Sequence, residues 1–156
     1  MTTRTLMRLA FVFVLALGML TDASPTAAQL LGHGGPVRAL AISIDGATLI
    51  SGSFDSSAIR WSLPREVAEQ VLRFHEGAVN AVAILPDGRI ATSGEDTRIA
   101  LWTPGRPAPD TVLVGHSGPV AAIAVSPDGT SIATASWDRT VRLCDGALLP
   151  RMLFAE

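Results

Sequence analysis

The sequence predicts an all-β chain made of three consecutive four-stranded antiparallel units. Two observations carry this. First, near-copies recur at a period of 41 or 42 residues: GHGGPVRALAISIDGATLISGSFDSSAIRW from Gly32, FHEGAVNAVAILPDGRIATSGEDTRIALW from Phe74 and GHSGPVAAIAVSPDGTSIATASWDRTVRLC from Gly115. Self-similarity at that period marks stacked repeats, because one unit alone cannot bury its apolar face. Second, each copy reads as short apolar runs broken by turn residues, and no segment beyond residue 28 carries a helical period.

The runs follow one another in a fixed order. The first in each copy, Val37 to Ser43, Val79 to Leu85 and Val120 to Ser126, is rich in Val, Ile and Ala. Asp-Gly follows each time (Asp45-Gly46, Asp87-Gly88, Asp128-Gly129), a pair whose tolerance of positive φ signals a hairpin. A second run comes next, Thr48 to Ser53, Arg89 to Ser93 and Ser131 to Ser136. After a polar turn, a third run ends at Trp61, Trp102 or Cys144. Pro-containing loops then lead to fourth strands expected at Glu69 to Arg73, Thr111 to Val114 and Leu148 to Ala155. The one-residue difference between copies falls where PDGRI replaces PDGTSI, a change that loops tolerate and strands do not.

Polar landmarks keep their distances within each unit. His33, His75 and His116 open the copies, and Asp55, Asp96 and Asp138 follow 22, 21 and 22 residues later. Ser51, Thr92 and Thr134 stand four residues before each Asp, and Trp61, Trp102 and Cys144 six residues after it. A recurring His, hydroxyl and Asp invites a hydrolytic reading. A hydrolytic site, however, is one constellation with one nucleophile and one oxyanion hole. A trio repeated in step with the structural period reads instead as a satisfied buried network.

These residues resemble the WD-repeat family of β-propellers. The GH start, the SPDG-like turn, the Ser/Thr-x3-Asp-x5-Trp ending and the period all agree, over roughly residues 30–156. The departures are Phe74 for Gly, Ile44 for Pro and Cys144 for Trp, and Ser62 and Thr103 stand where Asp would complete a Trp-Asp pair. The resemblance implies propeller blades in an incomplete ring, with repeats at about 30–65, 72–106 and 112–146 of a domain spanning 29–156. It implies structural tetrads of His33, Ser51, Asp55 and Trp61, of His75, Thr92, Asp96 and Trp102, and of His116, Thr134 and Asp138. Each is a hydrogen-bond chain pinning a loop and a turn to its blade. The third should be the weakest, since Cys144 supplies neither an indole N–H nor its area. The three His fall in three different blades, so no shared metal site is expected. The resemblance also implies a protein-binding rim at the loop before each tetrad Asp, with Phe54, Glu95 and Trp137 foremost and Arg38 and Asn80 beside them.

Composition bounds the rest. The 156 residues suffice for one domain with a real core. Residues 1–28 read as a removable leader: Arg4 and Arg8, twelve uncharged residues from Leu9 to Leu20, then Thr26-Ala27-Ala28 before Gln29. Twelve apolar residues are short of the roughly 20 that span a bilayer, although an uncleaved N-terminal anchor is the alternative. Without the leader the chain holds 10 basic and 13 acidic residues and no basic stripe, which argues against nucleic acid. Every basic residue is Arg and Tyr is absent, a bias of GC-rich genomes that, with the leader, points to a bacterial periplasmic or secreted protein. A single Cys excludes an internal disulfide, and no haem or zinc spacing calls for a cofactor.

Three units are too few for closure, since propellers close with 4–8 blades. A four-stranded blade face covers on the order of 350–400 Å². Two such open faces are comparable with or larger than the roughly 300–600 Å² of the largest apolar patch on a typical monomer. The next His would fall at position 158, just past Glu156, which favours a split or truncated propeller. The expected function is a non-catalytic protein-interaction scaffold, whose ring is completed by a protein partner or by self-association. The alternative is an accessory or truncated propeller part of an envelope redox (c-type cytochrome-linked) or hydrolytic enzyme, with its catalytic part on a partner or on a lost C-terminal extension.

Overall fold

The computed structural model describes residues 28–145 and the backbone of Leu153–Phe154. The expected leader, apart from Ala28, lies outside the described residues. Twelve strands form three antiparallel sheets. The first joins β1 (Val37–Ile42), β2 (Thr48–Ser53), β3 (Ser57–Ser62) and β4 (Val67–Arg73) in that order. The second joins β5 (Val79–Ile84), β6 (Ile90–Gly94), β7 (Ile99–Trp102) and β8 (Thr111–Leu113). The third joins β9 (Val120–Val125), β10 (Ser131–Ser136), β11 (Val141–Asp145) and β12 (Leu153–Phe154). Sequential antiparallel order is what short connections between neighbouring strands produce.

The sheets stack side by side as blades, β1 beside β5 and β5 beside β9. One apolar core fills each junction. Ile50, Ala58, Leu72, Val79 and Val82 meet between the first and second blades. Ile99, Leu101, Val120 and Ile132 meet between the second and third. A polar clip joins the first pair: the Gln70 amide donates to Arg106 O at 2.6 Å and accepts from Gly105 N at 2.8 Å.

The Asp-Gly turns close as Gly46 N to Ser43 O, Gly88 N to Leu85 O and Gly129 N to Ser126 O, each 2.9 Å, and only the Gly of each pair has positive φ. In all three blades the inner strand bulges at its second residue, so that Arg38, Asn80 and Ala121 are left out of the ladder.

The terminal blades leave a face uncovered. Val37 is 51% exposed, whereas the equivalent Val79 and Val120, each packed on a preceding blade, are at 0%. On the other side Val141 is 61% exposed, whereas the equivalent Ile99 is at 3%. The ring is open at both ends of the described chain.

Candidate functional site

The loop entering each inner strand brings its His under the turn that follows the second strand. His33 Nδ1 lies 3.0 Å from Asp55 Oδ2 and Nε2 lies 2.7 Å from Ser51 Oγ, which accepts the Trp61 indole N–H at 2.7 Å. His75 lies 2.9 Å from Asp96 and 2.8 Å from Thr92 Oγ1, which accepts from Trp102 at 3.1 Å. His116 lies 2.8 Å from Asp138 and 2.9 Å from Thr134 Oγ1. There Cys144 stands opposite Ile132 in the register that Trp61 and Trp102 occupy opposite Leu49 and Ile90. Where an indole is present, the proton order follows from the chemistry. The indole can only donate, so the hydroxyl gives its own proton to Nε2, and Nδ1–H points at the carboxylate.

The sequence alone missed the rest of each aspartate's shell. Asp55 accepts from Gly34 N at 2.7 Å and from the Ser57 hydroxyl at 2.6 Å. Asp138 accepts from Ser117 N at 3.1 Å and from the Thr140 hydroxyl at 2.7 Å. Asp96 takes Glu76 N at 3.1 Å and the Arg98 guanidinium at 3.2 Å. The available signal was a residue able to donate two positions after each Asp, the pattern of an Asx-turn. Burial works against ionisation of Asp55, but Ser57, Gly34 and His33 outweigh it and hold the carboxyl well below the usual range. At Asp138 the Thr140 hydroxyl leads in the same direction against burial, aided by His116. At Asp96 burial opposes and His75 prevails, again lowering it. These carboxylates are fully engaged, and both ring nitrogens of each His are occupied.

A cleft of about 630 Å³ lies among the hairpin turns and is lined by Ile42, Ile44, Ile84, Pro86, Val125 and Pro127 among others. No tetrad residue lines it. Cys144 is buried, and burial, against the nearby Arg142 charge, pushes its thiol up, which keeps it protonated and unreactive. Among the described residues no group of three or more His, Cys, Asp or Glu is placed to hold a metal ion.

The expected rim residues separate into two kinds. Phe54, at 48%, and Trp137, at 67%, project from equivalent turns of the first and third blades, with Glu95 exposed at the same position of the second. Arg38 is exposed and its guanidinium lies 5.2 Å over the Phe54 ring centroid. Asn80 is instead buried, at 7%, and its Oδ1 has no hydrogen-bond partner.

Three segments of the chain, residues 25–62, 67–103 and 108–145, match the family model described as WD domain, G-beta repeat. The chain is 40% identical over 65 residues to the small ribosomal subunit protein RACK1y of Oryza sativa subsp. japonica, covering 40% of this chain and 19% of that protein. It is 39% identical over 67 residues to telomerase protein component 1 of Mus musculus, covering 43% of this chain and 2% of that protein. The aligned stretch is thus at most about a fifth of the length of either relative.

Proposed function

The chain belongs to the WD domain, G-beta repeat family, and on that premise we propose that it is a non-catalytic scaffold that binds protein through the rim carrying Phe54, Glu95 and Trp137. The observation that carries this is the pair of aromatic side chains left half or more exposed at equivalent turns. Large rings on rigid turns are the usual anchors of a protein interface, since they bury much area at little entropic cost. The tetrads supply the rigidity. Each ties the loop before the inner strand and the turn bearing the rim residue to one blade, so the rim is preorganised. The role of the tetrads is therefore structural, and the engagement of every His and Asp in internal hydrogen bonds supports that reading.

The reading includes export. The positive start, the apolar stretch and the small residues before Gln29 support removal of residues 1–28 and a periplasmic or secreted destination. It also includes completion of the ring, by a protein partner or by self-association, because the leading face of the first blade and the trailing face of the third are apolar and open. Site-specific photocrosslinking in cells tests the rim: a crosslinker at Phe54 or Trp137 should capture protein, and one at Ile44 on the opposite end should not. Equal capture from both ends sinks the rim assignment. Recovery of the chain from the cytoplasm with Met1 intact sinks export.

A further inference from the structure

The rim has a charge pattern that selects its partner. Going round from the first blade to the third, the equivalent turn positions read Phe54, Glu95 and Trp137, an acid between two aromatics. The Glu95 carboxylate leans over the neighbouring loop, where Oε2 accepts from Ala78 N at 3.4 Å, and it forms no ion pair among the described residues. Its neighbour Arg98 is already neutralised by Glu76 at 2.9 Å and Asp96 at 3.2 Å. At the two outer positions the sign reverses: Arg38 covers Phe54, and Arg139 stands exposed on the Trp137 turn.

We infer that the rim takes an extended peptide segment with one Arg or Lys at its centre, seated on the exposed Glu95 carboxylate, and aromatic or large apolar residues on Phe54 and Trp137. This rests on the rim reading proposed above. The spacing follows from the blade geometry. Stacked sheets lie about 10 Å apart and an extended chain advances about 3.3 Å per residue, so neighbouring rim positions are about three residues apart. The fitting segment is therefore apolar-x-x-Arg-x-x-apolar. Arg38 and Arg139 repel a segment that is basic throughout, so the preference is for one cation in register and not for positive charge in general.

Fluorescence anisotropy with labelled peptides on the purified mature chain tests this. The probes are Phe-Ser-Ser-Arg-Ser-Ser-Phe, the same peptide with Glu for Arg, and hepta-arginine. The Arg peptide should bind about tenfold or more tighter than the Glu peptide, and hepta-arginine should bind more weakly than the Arg peptide. Glu95→Arg should reverse the Arg-over-Glu order, Glu95→Gln should abolish it, and Trp137→Ala should weaken the Arg peptide about tenfold. Equal binding of the Arg and Glu peptides, both weakened by Trp137→Ala, overturns the charge selection and leaves the rim standing. Tightest binding by hepta-arginine does the same. Peptide binding that Trp137→Ala leaves unchanged overturns the rim itself, and no binding of any probe at about 1 mM overturns the inference.

Discussion

Each tetrad histidine has both ring nitrogens bonded inside its own blade, so its removal orphans a hydroxyl on one side and part of a carboxylate shell on the other. His33→Ala should therefore lower stability by roughly 1–3 kcal/mol, read as a shift in the urea midpoint, without loss of any hydrolytic activity. The aspartates add an acid limit. Their carboxyls sit below the ordinary range, and Asp128, held by the Ser126 and Thr130 donors of its turn, lies at about 2. A group with a depressed folded value stabilises the fold above its unfolded value of about 3.9 and loses that contribution as pH falls through the folded one. Stability should thus decline from about pH 4 downwards, and Asp55→Asn should flatten that decline; an unchanged acid slope in the variant would contradict the argument. The fixed spacing of His, hydroxyl and Asp already groups these side chains in the sequence. What spacing cannot convey is the backbone part of the further shell, the N–H groups of Gly34 and Ser117, which depends on how the loop wraps its Asp. Cys144 completes the residue scale. Its register opposite Ile132 matches that of Trp61 and Trp102, and Gly115 stands where Gly32 lets the Trp61 ring approach to within 2.9 Å of a notional Cβ. Cys144→Trp should place an indole N–H on Thr134 and raise the melting temperature, by about 1 kcal/mol of stability; a lower one would mean the third blade has closed over the vacant volume.

Strands and turns record which parts of the fold a sequence displays openly. The Asp-Gly hairpins are legible because Gly46, Gly88 and Gly129 occupy the positive-φ position that the residue type announces. The turns after β2, β6 and β10 are not, because their positive φ falls on Ser56, Thr97 and Arg139, whose side chains disfavour it. The bulges at Arg38, Asn80 and Ala121 are equally silent, since no Gly or Pro marks them within their runs. The blade junctions depend on a different signal, the size of one residue. A Cβ on Gly52 would lie 2.8 Å from Val79 Cγ1, and its backbone needs no glycine conformation. Gly52→Ala should destabilise by roughly 1–3 kcal/mol through overpacking, less the 0.4–1 kcal/mol that a stiffer unfolded chain returns. Ser93 holds the equivalent place in the second blade, where its buried Oγ has no partner, and Ala135 holds it in the third. Ser93→Ala should therefore stabilise, by about 1 kcal/mol. Opposite shifts in melting temperature at one repeat position would establish that junction packing, and not strand propensity, sets these residues; shifts of the same sign would refute it.

For the whole molecule the governing quantity is the area left open. Positions that are sealed at the internal junctions, Val79, Val120 and Ile99, become Val37 and Val141 at the outer faces, half or more exposed. The two faces are not alike. One presents the inner-strand side that docks on a preceding blade, and the other presents the side that receives a following one. They are complementary in the sense the chain itself demonstrates twice, between its first and second and its second and third blades. Each face covers on the order of 350–400 Å² by its strand dimensions. Covering both removes roughly 700–800 Å² per chain from water, close to the 800 Å² per partner of a stable interface. Completion by further blades is thus energetically adequate without any contact beyond those already used inside the chain. Light scattering on residues 29–156 should report a mass above that of a monomer. Val37→Glu together with Val141→Glu should convert it to the monomeric mass, because each places a charge where an apolar junction must form, while neither disturbs the internal cores. Val79→Glu should instead unfold the first junction. A monodisperse, cooperatively melting monomer of the unsubstituted chain would mean that three blades suffice, and ring completion would have no driving force.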